Sequence, residues 1–316
     1  MKSLLYLTDL SKKVDNAYAY ALHIAQKQNS KLHIVYVSPS FTGKSGVDNI
    51  ETHPLADFYN NALEIDVEHH VVNKINNLNS IATEIELDYI PTRFTILRGD
   101  FEESINNFIK DVDISLLIMS SSTPDLLTRY VYGSFANKLL DCLDIPMLIV
   151  PDKIIFQKIE NITAAVLLNQ NEADYLHFTM NFAKSFDAEV KCIHIAKNEQ
   201  KHSYSFEDIN KWCKVVNIDT SYVEILHHNS VKGGINNYVS SNKIDMVCLF
   251  HRDLSTWKRF FERSNSKQIL AHSDIPILIY HQKNLLDSKI SFFDKVQLNY
   301  KCQSHIGNEA NLFEKS

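Results

Sequence analysis

GDFEESINNFIKDVDISLLIMSSSTPDLLTRYVYGSFANKLLDCLDIPMLI, residues 99–149, is written a second time as residues 229–279, NSVKGGINNYVSSNKIDMVCLFHRDLSTWKRFFERSNSKQILAHSDIPILI. A shift of 130 aligns them without a gap, setting Gly99 on Asn229, Ile105 on Ile235, Arg129 on Arg259 and Ser134 on Ser264. Asp144-Ile145-Pro146 falls on Asp274-Ile275-Pro276. Each copy begins with helical apolar spacing (Ile105, Phe108, Ile109), passes through a short apolar run (Leu116 to Met119), and closes on another (Pro146 to Val150). Apolar runs alternating with helical patterns make crossover units and a parallel sheet covered on both faces. An internal repeat of about half of 316 residues reads as two domains.

Upstream of the first copy, residues 3–8 form a buried-strand run, after which Asp9 and Ser11 offer capping oxygens to a helix carrying Tyr18, Ala21, Leu22 and Ala25. Leu32 to Val37 is a second strand, 55–84 a long amphipathic helix, and Phe94 to Leu97 a third strand. The second half repeats this order with strands at Thr163 to Leu168 and Val190 to Ile195. Here the shift is 158, so the first half holds 28 more residues, near 39–66. They read as a loop and a longer helix, or as a lid or partner-binding insertion. The boundary falls after Pro151, near Asp152–Glu160, giving domains 1–151 and 160–282; the polar segment 286–316 matches neither half and reads as a tail.

Composition narrows the function. A net charge of −6 argues against nucleic acid as a partner. No apolar run approaches a membrane span, and the N-terminal run, broken by Asp9, reads as a strand and not a leader. Five scattered cysteines without a CxxC read as free, mostly buried thiols in a reducing cytoplasm. Seven glycines build neither a G-x-G-x-x-G nor a Walker A loop.

The order of elements, with Thr8-Asp9-Leu10-Ser11 after the first strand, Gly99 before its helix, the segment Met119 to Ala136 and the closing runs Ile145–Val150 and Ile275–Ile279, resembles the universal stress protein family in its tandem form. The resemblance covers 1–151 well and 160–282 more weakly. It implies two doubly wound five-stranded parallel sheets of order 3-2-1-4-5, packed through their closing strands as a pseudo-dimer. Covering two apolar edge strands is the physical reason for that packing.

ATP-binding members carry G-x2-G-x9-G-(S/T), whose glycines let phosphate approach the backbone at a helix start, and an acidic residue after the first strand that contacts the adenosine. The resemblance therefore makes Thr8, Asp9, Val37, Ser120, Ser122, Thr123, Gly133 and Ser134 the candidate nucleotide-contacting residues. ATP or AMP in the N-terminal domain is the implied cofactor. The frame survives with altered chemistry: Ser120 and Thr123 stand at the first two glycine positions, and Pro124 biases Thr123 toward extended backbone. In the second half Asn169 is matched to Asp9, Phe250 and Asp253 replace the first glycines, and Arg263-Ser264 replace Gly133-Ser134. Phenylalanine crowds such a loop and aspartate repels phosphate, so this half is expected not to bind ATP in the family manner.

His69-His70, on the predicted long helix, and His227-His228, ending a predicted strand, read as surface histidines and not metal ligands, since adjacent helical positions point about 100° apart and zinc needs three or four converging ligands. Asp9, Ser11 and His33 lack a nucleophile elbow, and no HxGH or SGGxDS loop occurs, so neither an enzyme nor a metal site is expected. Two functional readings stay open. One is a non-catalytic cytoplasmic stress-response protein with a degenerate nucleotide site, acting through unknown protein partners as a pseudo-dimer or a further homodimer. The other is an adenine-nucleotide sensor using the N-terminal domain only.

Overall fold

The structure, a computed structural model, describes residues 2–9, 15–39, 56–121, 139, 142–143, 145–196, 204–251 and 275–281. The first half runs β1 (Ser3–Leu7), α1 (Asn16–Gln28), β2 (Lys31–Pro39), α2 (Ala56–Glu84), β3 (Thr92–Gly99), α3 (Phe101–Val112), β4 (Ile114–Ser120) and β5 (Met147–Val150). The second runs β6 (Asn161–Ala165), α4 (Ala173–Phe186), β7 (Glu189–Ala196), α5 (Phe206–Val216), β8 (Val223–His227), α6 (Val231–Ser241), β9 (Met246–His251) and β10 (Ile277–His281). The helix expected from about Tyr130 to Cys142 lies almost wholly outside the described residues, as does the tail 286–316.

The strand order is β3-β2-β1-β4-β5-β10-β9-β6-β7-β8. Each half is the expected 3-2-1-4-5 parallel leaf, and the two leaves are one ten-stranded sheet because β5 and β10 pair antiparallel. That pairing sets Ile277 against Ile149, Leu278 against Leu148 and Ile279 against Met147. Since Met147, Leu148 and Ile149 correspond to Ile277, Leu278 and Ile279 in the repeat, the pairing is isologous about the Leu148–Leu278 pair. Each closing strand is a four-position apolar run that would otherwise be an open edge.

Side chains alternate across β1, so Leu4 and Tyr6 face one core while Leu5 and Leu7 face the other. The first core lies under α1, α2, α4 and α5, and the second under α3 and α6; both draw residues from both halves. On α1, Ala17, Tyr18, Ala21, Leu22, Ile24 and Ala25 are buried, and the helix ends on Asn29 in left-handed backbone. Asp9 does not cap it: α1 begins at Asn16, and its N-cap Asp15 makes no side-chain capping bond. The strong repeat of buried positions thus fixes the helix, while its start is moved by tertiary contacts of Asp15 described below.

The extra length of the first half lies partly in α2, which has 29 residues against 11 in α5. Residues 40–55, the rest of the insertion with its glycines, lie outside the described residues. Among the described cysteines, Cys192, Cys213 and Cys248 are buried free thiols, and Cys142 is half-buried with its thiol donating to the Leu139 carbonyl at 3.6 Å.

Candidate functional site

The carboxyl ends of β1, β2 and β4 converge at the crevice where open parallel sheets bind ligands. Of the expected site residues, the structure places Thr8, Asp9, Val37 and Ser120 there. Ser122, Thr123, Gly133 and Ser134 lie outside the described residues. Thr8 continues β1, its N–H donating to the Val35 carbonyl at 2.9 Å, and its hydroxyl donates to the Asp9 carbonyl at 2.8 Å. Val37 is buried on β2. Gly99 takes φ +120°, a conformation that favours glycine, just before the helix cap Asp100.

Two internal groups meet the site residues. The Ser120 hydroxyl donates to the Asp152 carboxylate, which follows β5, and the Asn16 side chain donates to the Asp152 carbonyl. Asp9 lies 3.9 Å from the ammonium of Lys74, a lysine of α2 that is 3% exposed. Lys74 also donates to both Asp15 oxygens, at 3.1 and 2.9 Å. Tyr6 and Asn77 complete the carboxylate's partners at 2.8 and 3.1 Å. Burial pushes the Asp15 carboxyl above its ordinary range against the opposing pull of Lys74, and it pushes the Tyr6 phenol well up.

Sequence reasoning missed Lys74, Asp15 and Asp152. A signal for Lys74 exists: it stands three residues after Val71 and four before Leu78, both buried, so a charge sits in the apolar stripe of α2. Tyr36, on the neighbouring strand, is 1% exposed, and its hydroxyl finds no hydrogen-bond partner among the described residues. Burial first, and the charge of Asp9 second, push that phenol up to about 12.

Strand register corrects the matching of the halves. Ser3 pairs Lys31 as Asn161 pairs Glu189, and Leu4 pairs Leu116 as Ile162 pairs Met246. The counterpart of Asp9 is therefore Leu167, 44% exposed, and Asn169 corresponds to Ser11. Asparagine's polarity suggested the other match, but a two-residue slip would break the ladder. The helices preceding β3 and β8 both run out through left-handed residues, Glu86 and Asn217, a shift of 131. By these shifts Tyr6, Asp15 and Lys74 become Ala164, Ala173 and Ser205, so the ionic cluster belongs to the first half alone.

The second half fills its loop differently. Glu172, fully buried, accepts from the N–H groups of Leu167 and Asn169, both at 2.7 Å. Leu168 is held at φ +58°, and the Trp212 indole donates to the Asn169 carbonyl at 2.9 Å. Backbone donors at this loop thus already bind a carboxylate of the chain itself. Phe250 is buried and stacked on Tyr175 at 5.3 Å. No group of three or more metal-ligating side chains occurs among the described residues. No described helix is long and apolar enough to cross a membrane.

The model of the universal stress protein family matches residues 1–151 and 213–281. No curated protein matches the chain. The crystal structure of a universal stress protein from Archaeoglobus fulgidus DSM 4304 is similar over 88% of this chain and 96% of its own, at 16% identity and a TM-score of 0.61. A functionally unknown protein from Pseudomonas aeruginosa PAO1 is similar over 89% and 92%, at 13% identity and a TM-score of 0.58. A universal stress protein in complex with cAMP overlaps 48% of the chain and 98% of its own, at 14% identity and a TM-score of 0.32, which carries no argument about the ligand here. With more than half of its length matched by the family model and its two leaves joined in one sheet, the chain belongs to the universal stress protein family, as a tandem of two of its domains.

Proposed function

We propose that the chain is a non-catalytic, cytoplasmic regulatory protein of the stress response, with domains at 1–151 and 160–282, that acts through protein partners. Its nucleotide-site positions have passed to internal side chains. The carrying observation is Asp152: its carboxylate takes the hydroxyl of Ser120 at the start of the loop where the family's motif would receive phosphate. A fixed negative charge there opposes a second one. Lys74 already faces Asp9, and Glu172 already holds the loop donors of the second half.

The second reading, an adenine-nucleotide sensor in the N-terminal domain, is favoured by one observation. The buried Tyr36 hydroxyl, unpartnered among the described residues and close to Asp9, could serve a ligand. Calorimetric titration with ATP, ADP and AMP plus magnesium, beside Asp9→Ala, separates the two. The expected result is no saturable heat at millimolar nucleotide. Saturable binding that Asp9→Ala abolishes overturns the proposal and establishes the sensor.

A further inference from the structure

The two halves are alike about the seam, yet the grooves flanking it differ. On one side of the seam, the segment joining the halves lays Phe156 into the groove beside α1. Its ring stacks on His23 at 3.7 Å and meets Tyr20 edge-on at 4.9 Å. The shift of 158 carries Tyr20 and His23 onto Phe178 and Asn181 of α4. Those two residues line a cavity of about 440 Å³ beside α4, with Phe182, Ser185 and Tyr280 on one wall and the foot of the first half, including Lys2 and Leu116, on the other. This cavity is the symmetry mate of the seat of Phe156, and none of the described residues fills it as Phe156 fills its own.

The chain itself supplies a matching segment. Phe156 stands six residues after Val150, the end of β5. Six residues after Tyr280, the counterpart of Val150, stands Leu286. At the shift of 130, Lys153-Ile154-Ile155-Phe156 falls on Lys283-Asn284-Leu285-Leu286, keeping the lysine and the apolar pair. Tyr280 lines the cavity, so the segment departs from its rim. Leu286 stands five residues after His281, the same span that brings Phe156 from Pro151 to its seat in the mate.

We propose that the cavity is the docking seat for residues 283–286 of this same chain, with Leu286 in the position that Phe156 holds in the mate. Docking there clasps α4 to the foot of β1, and so ties the two halves across the seam on the side where no linker crosses. Leucine is smaller than phenylalanine, and two wall residues are larger than those standing in the mate, Phe182 for Ile24 and Tyr280 for Val150. Apolar side chains leaving water for this groove provide the driving force.

The test uses the full chain. Asn181→Cys with Leu286→Cys is treated with a short bis-maleimide, beside His23→Cys with Phe156→Cys as the measure of reach. The expected result is an intramolecular 181–286 link, found by peptide mass mapping, in a yield like the control's. A control that links while 181–286 does not overturns the proposal. A 181–286 link joining two chains overturns it too, in favour of a second copy as the occupant. Leu286→Asp in the otherwise native chain is expected to speed amide exchange across Phe178–Phe186 by tenfold or more; unchanged exchange there overturns the clasp.

Discussion

At the scale of single residues, Lys74 and Asp15 show how a buried charge acquires meaning from its partner. Removing one member of a buried pair leaves the other uncompensated, at a cost of about 3–5 kcal/mol. Lys74→Met is therefore expected to lower stability by that amount at pH 7, read by urea unfolding, and Asp15→Asn added to it to restore most of the loss. The sign with pH follows from the carboxyl. Burial already raises its folded pKa above the ordinary 3.8, and losing Lys74 raises it further. The folded state then binds the proton more readily than the unfolded chain, so the loss shrinks as pH falls through the folded pKa. A loss that stays constant from pH 7 to 4 contradicts this account. His194 behaves oppositely. Burial holds its imidazole below 6.5 while Nδ1 lies 2.9 Å from the Val166 carbonyl. Here the unfolded chain binds the proton first, so the contribution is present above 6.5 and is lost as pH falls from there through the folded pKa. In His194→Gln the fall in urea midpoint between pH 7 and 5 should be smaller, with His23 and His33, also held low by burial, supplying the rest; the same fall in the variant would refute it. Neither pair was legible in the local sequence, because each partner comes from a different element, 59 residues apart for Lys74 and Asp15.

At the scale of elements, the loop between β6 and α4 depends on one carboxylate. Hydrogen bonds to a charged group contribute about 1.5–3 kcal/mol, and Glu172 accepts two from backbone donors. Glu172→Ala is expected to destabilise the second half by about 3 kcal/mol and to release the carbonyl that binds the Trp212 indole. Tryptophan emission should then shift toward the red; an unchanged spectrum would show the loop held by other contacts. Strand and helix identity here was readable from apolar periodicity, and α2 and α3 fall where the spacing puts them. The match of Asn169 with Asp9 was not, since residue chemistry pointed one way and ladder register, set by hydrogen bonds between distant strands, the other. Where α1 begins was equally hidden: Asp15 serves Lys74 and Tyr6 instead of the helix end.

At the scale of the whole molecule, the repeat with its two shifts, 130 and 158, was enough to give both leaves and the apolar strands that close them. The fusion of the leaves into one sheet appears only when β5 meets β10. Because both cores draw on both halves, unfolding is expected as one transition, with far-UV circular dichroism and tryptophan emission coincident. Leu148→Asp buries an unpaired charge at the centre of the seam. It should lower the midpoint and separate the two probes, and a variant that still unfolds in one coincident step would show the seam to be dispensable for cooperativity. The isologous seam has a further consequence. In an assembly of identical subunits every substitution enters twice, once on each side of the axis, and must be tolerated in both places. Joined in one chain, the two sides meet at a local concentration that dilution cannot reduce, and each side mutates alone. The first half carries a buried lysine beneath its crevice and the second a buried glutamate in its loop, and neither is imposed on its twin.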